Sequence, residues 1–146
     1  MSTKLKFYQS PLLPLYKMNP LIIFDGYCNL CNHWVDRLIR LDNKKIFRFT
    51  ANQLPAGTKI LSEHAIFVTE HTFYLLEDGL IYSKSNAAMR IVKHLPAPHN
   101  WLIIFKVIPL VFRDKIYDII ARNRYNWFGK RATCRLPTSD DAERFL

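Results

Sequence analysis

The stretch Asp25-Gly26-Tyr27-Cys28-Asn29-Leu30-Cys31 follows directly on the apolar run Leu21-Ile22-Ile23-Phe24. This order predicts a buried strand, a tight turn that contains glycine, and a helix whose first turn carries two cysteines. Apolar side chains then recur at helical spacing and predict that this helix continues to about residue 42; they are Leu30, Trp34, Leu38 and Leu41. The stretch therefore places a Cys-x-x-Cys pair at a strand-to-helix junction.

The position of the two cysteines on the predicted helix makes them a candidate redox pair. The unpaired N–H groups and positive dipole end of a helix stabilise a thiolate, and they lower a thiol pKa from roughly 8.5 toward 7. Two cysteines three residues apart also lie one above the other and can close a disulfide. We therefore interpret Cys28 and Cys31 as catalytic residues for thiol-disulfide exchange.

The two thiols are predicted to have different roles. Cys31 shares a helix face with Val35 and Leu38, so we expect it to point into the core. Cys28 lies at or just before the first helical turn, where a side chain meets solvent. We expect Cys28 to attack a substrate disulfide and Cys31 to displace the resulting mixed disulfide.

Two other interpretations of the cysteines are half of a zinc site and a purely structural pair. A zinc site needs two more ligands at suitable spacing. Cys134 is alone, and none of the five histidines forms a pair with it at finger-like spacing. We therefore predict no metal and no cofactor bound by this chain. Cys134 itself is interpreted either as a third redox partner or as a plain free cysteine.

Asp25 is the third candidate catalytic residue. It would lie at the strand end near both sulfurs, where it could accept a proton from Cys31. Against this role, a negative charge raises the pKa of a neighbouring thiol, and aspartate before glycine is also ordinary turn chemistry. Both interpretations stay open. His33, one turn beyond Cys28, is interpreted either as a partner for a thiolate or as a solvated surface histidine.

The composition sets the broad class. With 146 residues the chain is expected to form one domain, and an apolar fraction of 49% excludes a disordered chain. A net charge of +9 favours anionic partners or surfaces without naming any. The odd count of three cysteines and the lack of a signal-peptide pattern predict a reducing, cytoplasmic setting. No segment reaches the roughly 18 consecutive apolar residues of a membrane span.

The elements after the cysteine helix complete a recognisable order. Residues 46–50 alternate and predict a second strand, and a short helix is expected near residues 59–63. Two β-rich runs flank Asp78-Gly79 and predict an antiparallel hairpin. Ser85 is then expected to cap a helix that stops before Pro96. This is the element order of an α/β, thioredoxin-like mixed sheet flanked by helices.

We divide the chain into three parts. Residues 1–19 are expected to form an N-terminal arm, residues 20–99 the thioredoxin-like core with the Cys-x-x-Cys pair, and residues 100–146 a C-terminal helical extension packed on the core. Residues 101–112 of the extension are strongly apolar and are interpreted as a buried or an interfacial helix. A charged helix follows, which Gly129 is expected to end.

The extension also supports a second functional hypothesis. Its basic side chains alternate with aromatic ones; they are Arg113, Lys115, Arg122, Arg124, Lys130 and Arg131, with Tyr125, Trp127 and Phe128. Such a set is typical of a site for single-stranded nucleic acid, or of a peripheral contact with an anionic membrane surface, with the cysteines non-catalytic. We favour a helix that pairs its arginines with Asp114 and Asp118, because no recognised RNA- or DNA-binding signature accompanies the charge, and we expect no nucleic-acid partner.

The sequence resembles the DCC family of thiol-disulfide oxidoreductases, named for one aspartate and two cysteines. The matching segments are residues 25–31, the Ser-Lys-Ser-Asn-Ala segment at 83–87, and the run 117–129 that ends in Arg-Tyr-Asn-Trp-Phe-Gly. The resemblance implies a thioredoxin-like fold and protein-disulfide reductase activity. It also implies a disulfide-containing protein or a low-molecular-weight thiol as substrate, with electrons from an external thiol reductant.

One departure concerns the substrate groove. Proteins of the wider thioredoxin group usually carry a cis-proline before the strand that opens the hairpin. Here Thr72 precedes Phe73, and no proline is present at this point. Proline is nearly the only residue that adopts the cis form at low cost. The substrate groove is therefore expected to be built differently.

Overall fold

The computed structural model describes residues 19–67 and 72–146. The predicted N-terminal arm, residues 1–19, lies outside the described residues except for its last position.

The regular elements alternate between strands and helices before a helical C-terminal third. In chain order they are β1 (Leu21–Phe24), α1 (Asn29–Leu41), β2 (Arg48–Ala51), α2 (Pro55–Glu63), β3 (Tyr74–Glu77), β4 (Leu80–Ser83), α3 (Lys84–Lys93), a 3-10 segment (His99–Val107), α4 (Leu110–Phe128) and a short 3-10 turn (Ala142–Arg144). The predicted order of elements is confirmed. The second helix begins earlier than expected because Pro55 occupies its first turn, where a missing N–H costs nothing.

Within the described residues, four strands form one mixed sheet in the order β2-β1-β3-β4. β1 and β2 are parallel and are joined through α1, whereas β3 lies antiparallel to both β1 and β4. Asp78 and Gly79 close the predicted hairpin with φ values of 51° and 76°, as a tight two-residue turn requires. The predicted α/β class, a thioredoxin-like mixed sheet flanked by helices, is confirmed.

The sheet carries a core on each face because alternate residues of its central strands point in opposite directions. On one face Ile22 and Phe24 pack with residues of α1 and α3, among them Val35 and Ile91. On the other face Leu21 and Ile23 pack with Ile60 and Leu61 of α2. α1 and α3 therefore share one face of the sheet, and α2 covers the other.

Ser85 does not cap α3 as predicted. The helix begins at Lys84, and Ser83 is the residue before it. Ser85 is buried in the first turn, and its hydroxyl donates a hydrogen bond to Asp114 of α4. Asp118 likewise pairs with Lys84 at 2.9 Å, so these carboxylates bind α3 rather than the arginines of their own helix. A local pattern cannot indicate such tertiary partners.

The apolar stretch 101–112 does not form one buried helix. It divides into the 3-10 segment and the first turn of α4, separated by Pro109 before that helix. Its side chains are largely exposed; Val107 is 83% and Phe112 is 61% accessible. The prediction of a buried helix is wrong, because a short 3-10 segment gathers no apolar stripe against the sheet. Gly129, at φ 87°, ends α4 as predicted.

Candidate functional site

Cys28 is the residue that begins α1. Its backbone is extended (φ −78°, ψ 121°), and its Sγ accepts the N–H of Cys31 at 3.4 Å. The amide of Asn32 ties this turn together, since its Nδ2 donates to the carbonyls of Gly26 at 2.9 Å and of Cys28 at 2.8 Å. The sulfur is thus held at the positive end of the helix dipole, as the sequence predicts.

The environment of Cys28 favours its thiolate. A hydrogen bond from the Cys31 thiol lowers the pKa of Cys28 to about 6; burial opposes this, and the backbone N–H groups of Cys31 and Leu30 and the charge of Arg124 add to it. The direction of this shift agrees with the prediction for a thiol at a helix start, but its largest cause is the hydrogen bond from the neighbouring thiol. At neutral pH Cys28 is therefore mainly a thiolate.

Cys31 is the proton-bearing partner. Its hydrogen bond to Cys28 raises the pKa of the Cys31 thiol well above the ordinary value, and burial and the charge of Cys28 raise it further. The residue packs against the core, as predicted, but it is only partly buried and also lines a cavity. The two sulfurs therefore form a hydrogen-bonded pair that carries a single negative charge.

The predicted exposure of Cys28 is wrong. Its accessible fraction is 0%, whereas Cys31 keeps partial access. A segment that we call the strap, residues 129–135, lies across the turn between β1 and α1, and Lys130 forms an antiparallel bridge with Cys28. The local pattern around the cysteines could not indicate a cover supplied from about a hundred residues further along the chain.

Backbone hydrogen bonds fix the strap at several points. They run from Asn29 N–H to the Gly129 carbonyl at 3.4 Å, from Arg131 N–H to the Tyr27 carbonyl at 2.7 Å, and from Arg135 N–H to the Gly26 carbonyl at 3.1 Å. Side chains of Asn29 and Arg131 add a contact at 3.3 Å. The turn that bears Cys28 is thus part of a small backbone network and not an open loop.

Asp25 is buried beside the pair, with 1% of its surface accessible. Its Oδ2 accepts hydrogen bonds from Arg124 at 2.7 Å and from the Tyr125 hydroxyl, and its Oδ1 accepts the Tyr27 N–H at 3.0 Å. Burial alone would raise the pKa of Asp25, but hydrogen bonds from Tyr125, Arg124, Tyr27 and Gln53 hold it below its ordinary value. A carboxylate held in this way is a weak base, and the Tyr27 contact is the turn interaction that the sequence predicts.

Arg124 connects the carboxylate to the sulfurs. It is 3% accessible, its Nη2 binds Asp25, and its Nη1 lies 3.8 Å from Cys31 Sγ. Its charge lowers the pKa of Cys28. The sequence places Arg124 only in the basic cluster of the extension, so its role beside the cysteines was missed. The available signal was its position in the Arg-Tyr-Asn-Trp-Phe-Gly run of the family resemblance.

Cys134 and His33 lie at the margin of this site. Cys134 is a free, partly buried thiol packed over Gly26, and burial and the charge of Asp25 raise its pKa. Its two interpretations remain predictions. His33 is exposed, with its ring 6.0 Å from that of Trp34, as a surface histidine would be.

A cavity of about 420 Å³ opens beside Cys31, between the sheet, α1, α3 and α4. Cys31, Arg124 and Tyr117 line it together with mainly aliphatic and aromatic side chains. The Tyr117 hydroxyl accepts the Phe73 N–H at 3.1 Å, and burial raises the pKa of this tyrosine. The partly exposed sulfur of the pair therefore faces an apolar space.

Across residues 19–67 and 72–146 no group of three His, Cys, Asp or Glu side chains could hold a metal ion. The absence of a metal or cofactor stays a prediction. Within the same ranges, none of the helices combines the length and the apolar character that crossing a bilayer takes.

Comparison with known proteins is consistent with this geometry. The family model of the DCC1-like thiol-disulfide oxidoreductases matches residues 22–130, a span that includes Asp25, both cysteines of the pair and Arg124. The span stops inside the strap.

Two curated relatives match most of the chain. The uncharacterized protein YuxK of Bacillus subtilis is 38% identical over 129 residues, which cover 88% of this chain and 94% of that protein. A chloroplastic DCC family protein of Arabidopsis thaliana is 36% identical over 119 residues, which cover 80% of this chain and 69% of that protein. No solved structure matches significantly.

Proposed function

This chain belongs to the DCC1-like thiol-disulfide oxidoreductase family, and from that premise we propose that it is an enzyme in which Cys28 and Cys31 reduce a substrate disulfide. The observation that carries the proposal is the unequal pair of sulfurs: Cys28 with a pKa of about 6, hydrogen-bonded to a Cys31 thiol whose pKa is raised. Two hydrogen-bonded sulfurs that share one proton can each act as the nucleophile in one step of a two-step exchange, because the proton can move between them.

The geometry leads us to reverse the predicted order of attack. Cys28 holds the charge but is covered by the strap, whereas Cys31 is open to the cavity. We therefore assign the first bond to Cys31. Cys28 accepts the Cys31 proton as Cys31 attacks one substrate sulfur, and the other substrate sulfur leaves as a thiolate that takes this proton.

The second step completes the exchange. Cys28, again a thiolate, attacks Cys31 Sγ and releases the remaining substrate sulfur as a thiolate, which is protonated by water. The pair is oxidised by two electrons to a disulfide, and the substrate disulfide is reduced to two thiols. An external thiol reductant then restores the pair, as predicted from the resemblance.

Asp25 acts in this proposal as a positioning residue. Its lowered pKa argues against the predicted role as proton acceptor, because it stays ionised and bound to Arg124. Asp25→Asn removes a negative charge that raises the pKa of Cys31 and leaves the charge of Arg124, which lowers the pKa of Cys28, uncompensated. We therefore expect Asp25→Asn to lower the thiol pKa values, and Asp25→Glu to keep them close to those of the wild type. A thiolate titration separates this role from a loss of folding.

Serine variants of the three cysteines test the proposal. Cys28→Ser is expected to lose turnover of a disulfide but to form a stable mixed disulfide at Cys31, detected by mass spectrometry. Cys31→Ser is expected to lose both, and Cys134→Ser serves as the matched control that keeps turnover. A mixed disulfide trapped on Cys28 in Cys31→Ser would restore the predicted order, and full turnover in either single variant would refute the exchange mechanism.

The substrate and the compartment remain proposals. We keep a disulfide-containing protein or a low-molecular-weight thiol as the substrate classes, and we propose a cytoplasmic location because an odd number of cysteines suits a reducing setting. Recovery of a tagged full chain with a cytosolic fraction, with Cys28 and Cys31 reduced, would support this location. Recovery in an oxidising compartment would contradict it.

A second candidate function is peripheral contact with an anionic membrane. The exposed apolar side chains of the extension favour it, since Val107 and Phe112 are mostly accessible and Lys106 and Arg113 lie beside them in sequence. The nucleic-acid alternative loses support, because Arg124 of its basic cluster is buried in an ion pair. Flotation of the full chain with vesicles that contain phosphatidylserine tests the contact, and no retention would refute it.

A further inference from the structure

The cavity beside Cys31 offers few polar partners to a ligand. Its polar side chains are Arg37, His99, Tyr117 and Arg124. Arg124 is paired with Asp25, and the Tyr117 hydroxyl oxygen accepts a backbone N–H. Within the part of the chain that the structure describes, the Nδ1 of His99 is buried without a hydrogen-bond partner and is a polar atom that the cavity can offer to a ligand. The rest of the lining is almost wholly aliphatic and aromatic, and the volume of about 420 Å³ lies in the range of small-molecule sites, about 300–1,000 Å³.

The cavity is open to the outside next to apolar surface. Trp34 and Ile120 line it and are 54% and 40% accessible. Ile116 and Ile119 continue the same helix and are also exposed, at 54% and 48%. A molecule that enters past these side chains loses contact with water before it reaches the sulfur.

The opposite approach to the pair is covered. The strap bridges Cys28 through Lys130, and Cys28 has no accessible surface. Cys28 is also absent from the lining of the cavity, whereas Cys31 is part of it. Among residues 19–67 and 72–146, the apolar cavity is therefore the approach that leads to a sulfur of the pair.

We propose that the substrate of the Cys28–Cys31 pair is an apolar, low-molecular-weight disulfide that binds in this cavity and bonds first to Cys31. This inference rests on the proposed function. Burial of the apolar groups of the substrate supplies the binding, and the cavity holds a substrate sulfur beside Cys31 Sγ. Disulfides that lie on polar protein loops are expected to be poorer substrates, because the cavity has few groups that could satisfy their hydrogen bonds.

A pair of thiol-specific reagents tests the cavity directly. Alkyl methanethiosulfonates transfer an alkylthio group to a cysteine. The cysteine sulfur forms a disulfide bond with the alkylthio sulfur, the bond from that sulfur to the sulfonyl group breaks, and methanesulfinate leaves. The thiol proton goes to solvent. The rates of modification of Cys31 by the methyl and the hexyl reagent are measured by mass spectrometry in the full chain that carries Cys28→Ser and Cys134→Ser. Their ratio does not depend on the pKa of Cys31, because the same thiol reacts with both.

The expected ratio, hexyl over methyl, is at least tenfold higher at Cys31 than at free N-acetylcysteine. This is the effect of about two buried methylene groups. Ile120→Lys at the mouth is expected to bring the ratio close to that of the free thiol. Ile116→Lys is the matched control, since it lies on the same helix, is exposed and does not line the cavity. Ala88→Phe, which fills the cavity from α3, gives a second, independent block.

A ratio equal to that of the free thiol overturns the inference, and it would mean that the cavity is unused or is filled by another part of the chain. Equal effects of Ile120→Lys and Ile116→Lys would overturn it as well. The proposed function is tested separately with the wild-type chain. If it turns over oxidised glutathione, and turns over dialkyl disulfides at rates that do not depend on the length of the alkyl chain, disulfide exchange stands and only the apolar substrate is refuted. Absence of turnover with every disulfide refutes the proposed function instead.

Discussion

Removal of the Arg124 charge is the sharpest test of how the site is held together. Arg124 and Asp25 form an ion pair at 2.7 Å, with 3% and 1% of their side chains accessible. Arg124→Met keeps most of the volume and removes the charge, so Asp25 is left buried with its hydrogen bonds from Tyr125, Tyr27 and Gln53 but without its counter-ion.

The cost can be bounded from the burial of both partners. Breaking a buried ion pair on one side costs about 3–5 kcal/mol, because the remaining charge is uncompensated. For a domain of this size, each kcal/mol lowers the melting temperature by about 2–4 °C, so the expected fall is roughly 6–20 °C. Asp25→Asn together with Arg124→Met removes both charges of this ion pair and is expected to recover part of the loss.

Urea denaturation and thermal melting measure this loss, with Arg122→Met as the matched control. Arg122 lies on the same helix and is exposed, so its replacement should change stability by no more than about 0.5 kcal/mol. The reasoning is refuted if the Arg122 and Arg124 variants melt together. It is also refuted if the double variant loses the sum of the two single losses.

The pH dependence of the deficit gives a second check. The folded pKa of Asp25 is lowered, so its contribution to stability is present above the unfolded pKa near 3.9 and is lost as the pH falls through the folded value. In Arg124→Met the unpaired, buried carboxyl takes up a proton more readily. The loss in free energy of unfolding of Arg124→Met relative to wild type is therefore expected to have its full size above about pH 5 and to become smaller below about pH 4.

Three further predictions follow from neighbouring contacts. Thiolate absorbance of the reduced chain should titrate with a midpoint of about 6 and should lose this step in Cys28→Ser; a first midpoint near the ordinary thiol value would contradict the assigned charge. A methyl group on Gly26 would lie 2.2 Å from Cys134 Sγ, so Gly26→Ala should lower the free energy of unfolding, measured with urea, by roughly 1–3 kcal/mol. Adding Cys134→Ala should recover part of this loss, and no recovery would argue against the contact. Gly129 has φ 87° and ψ 167°, a region open essentially to glycine, so Gly129→Ala should loosen the strap and speed alkylation of Cys28; an unchanged rate would show that the strap does not control access.

The sheet and its flanking helices could be predicted because their signals are local. Alternation and the Asp78-Gly79 turn predict the hairpin, and the apolar run 21–24 predicts the central strand. The lowered pKa of Cys28 also has a local cause, since the Cys31 thiol that donates a hydrogen bond to it lies three residues along the chain. Local chemistry was sufficient wherever the cause lay within one element.

The access to the two sulfurs could not be predicted in this way. The cover over Cys28 comes from residues 129–135, and the arginine beside Cys31 comes from α4. The charge pattern alone places Arg124 among the solvent-facing residues. In the sequence, a buried arginine cannot be distinguished from an exposed one until its carboxylate partner is known. The order of the two thiols therefore depended on contacts between distant parts of the chain.

The contacts that build the site also set when it can exist during synthesis. The bond between Arg124 and Asp25 joins residues 99 positions apart, and that between Arg144 and Asp42 joins residues 102 apart. Such distant pairs form late in folding, because a long loop must close before they contribute. A nascent chain that has left the ribosome only as far as β4 carries both cysteines without the counter-charge of Arg124 and without the cover of the strap. The hydrogen bond from Cys31 that lowers the pKa of Cys28 lies within one turn of α1, so the thiolate can form before its cover does. Shielding of Cys28 is thus a property of the completed fold, and it begins only when the last third of the polypeptide has docked.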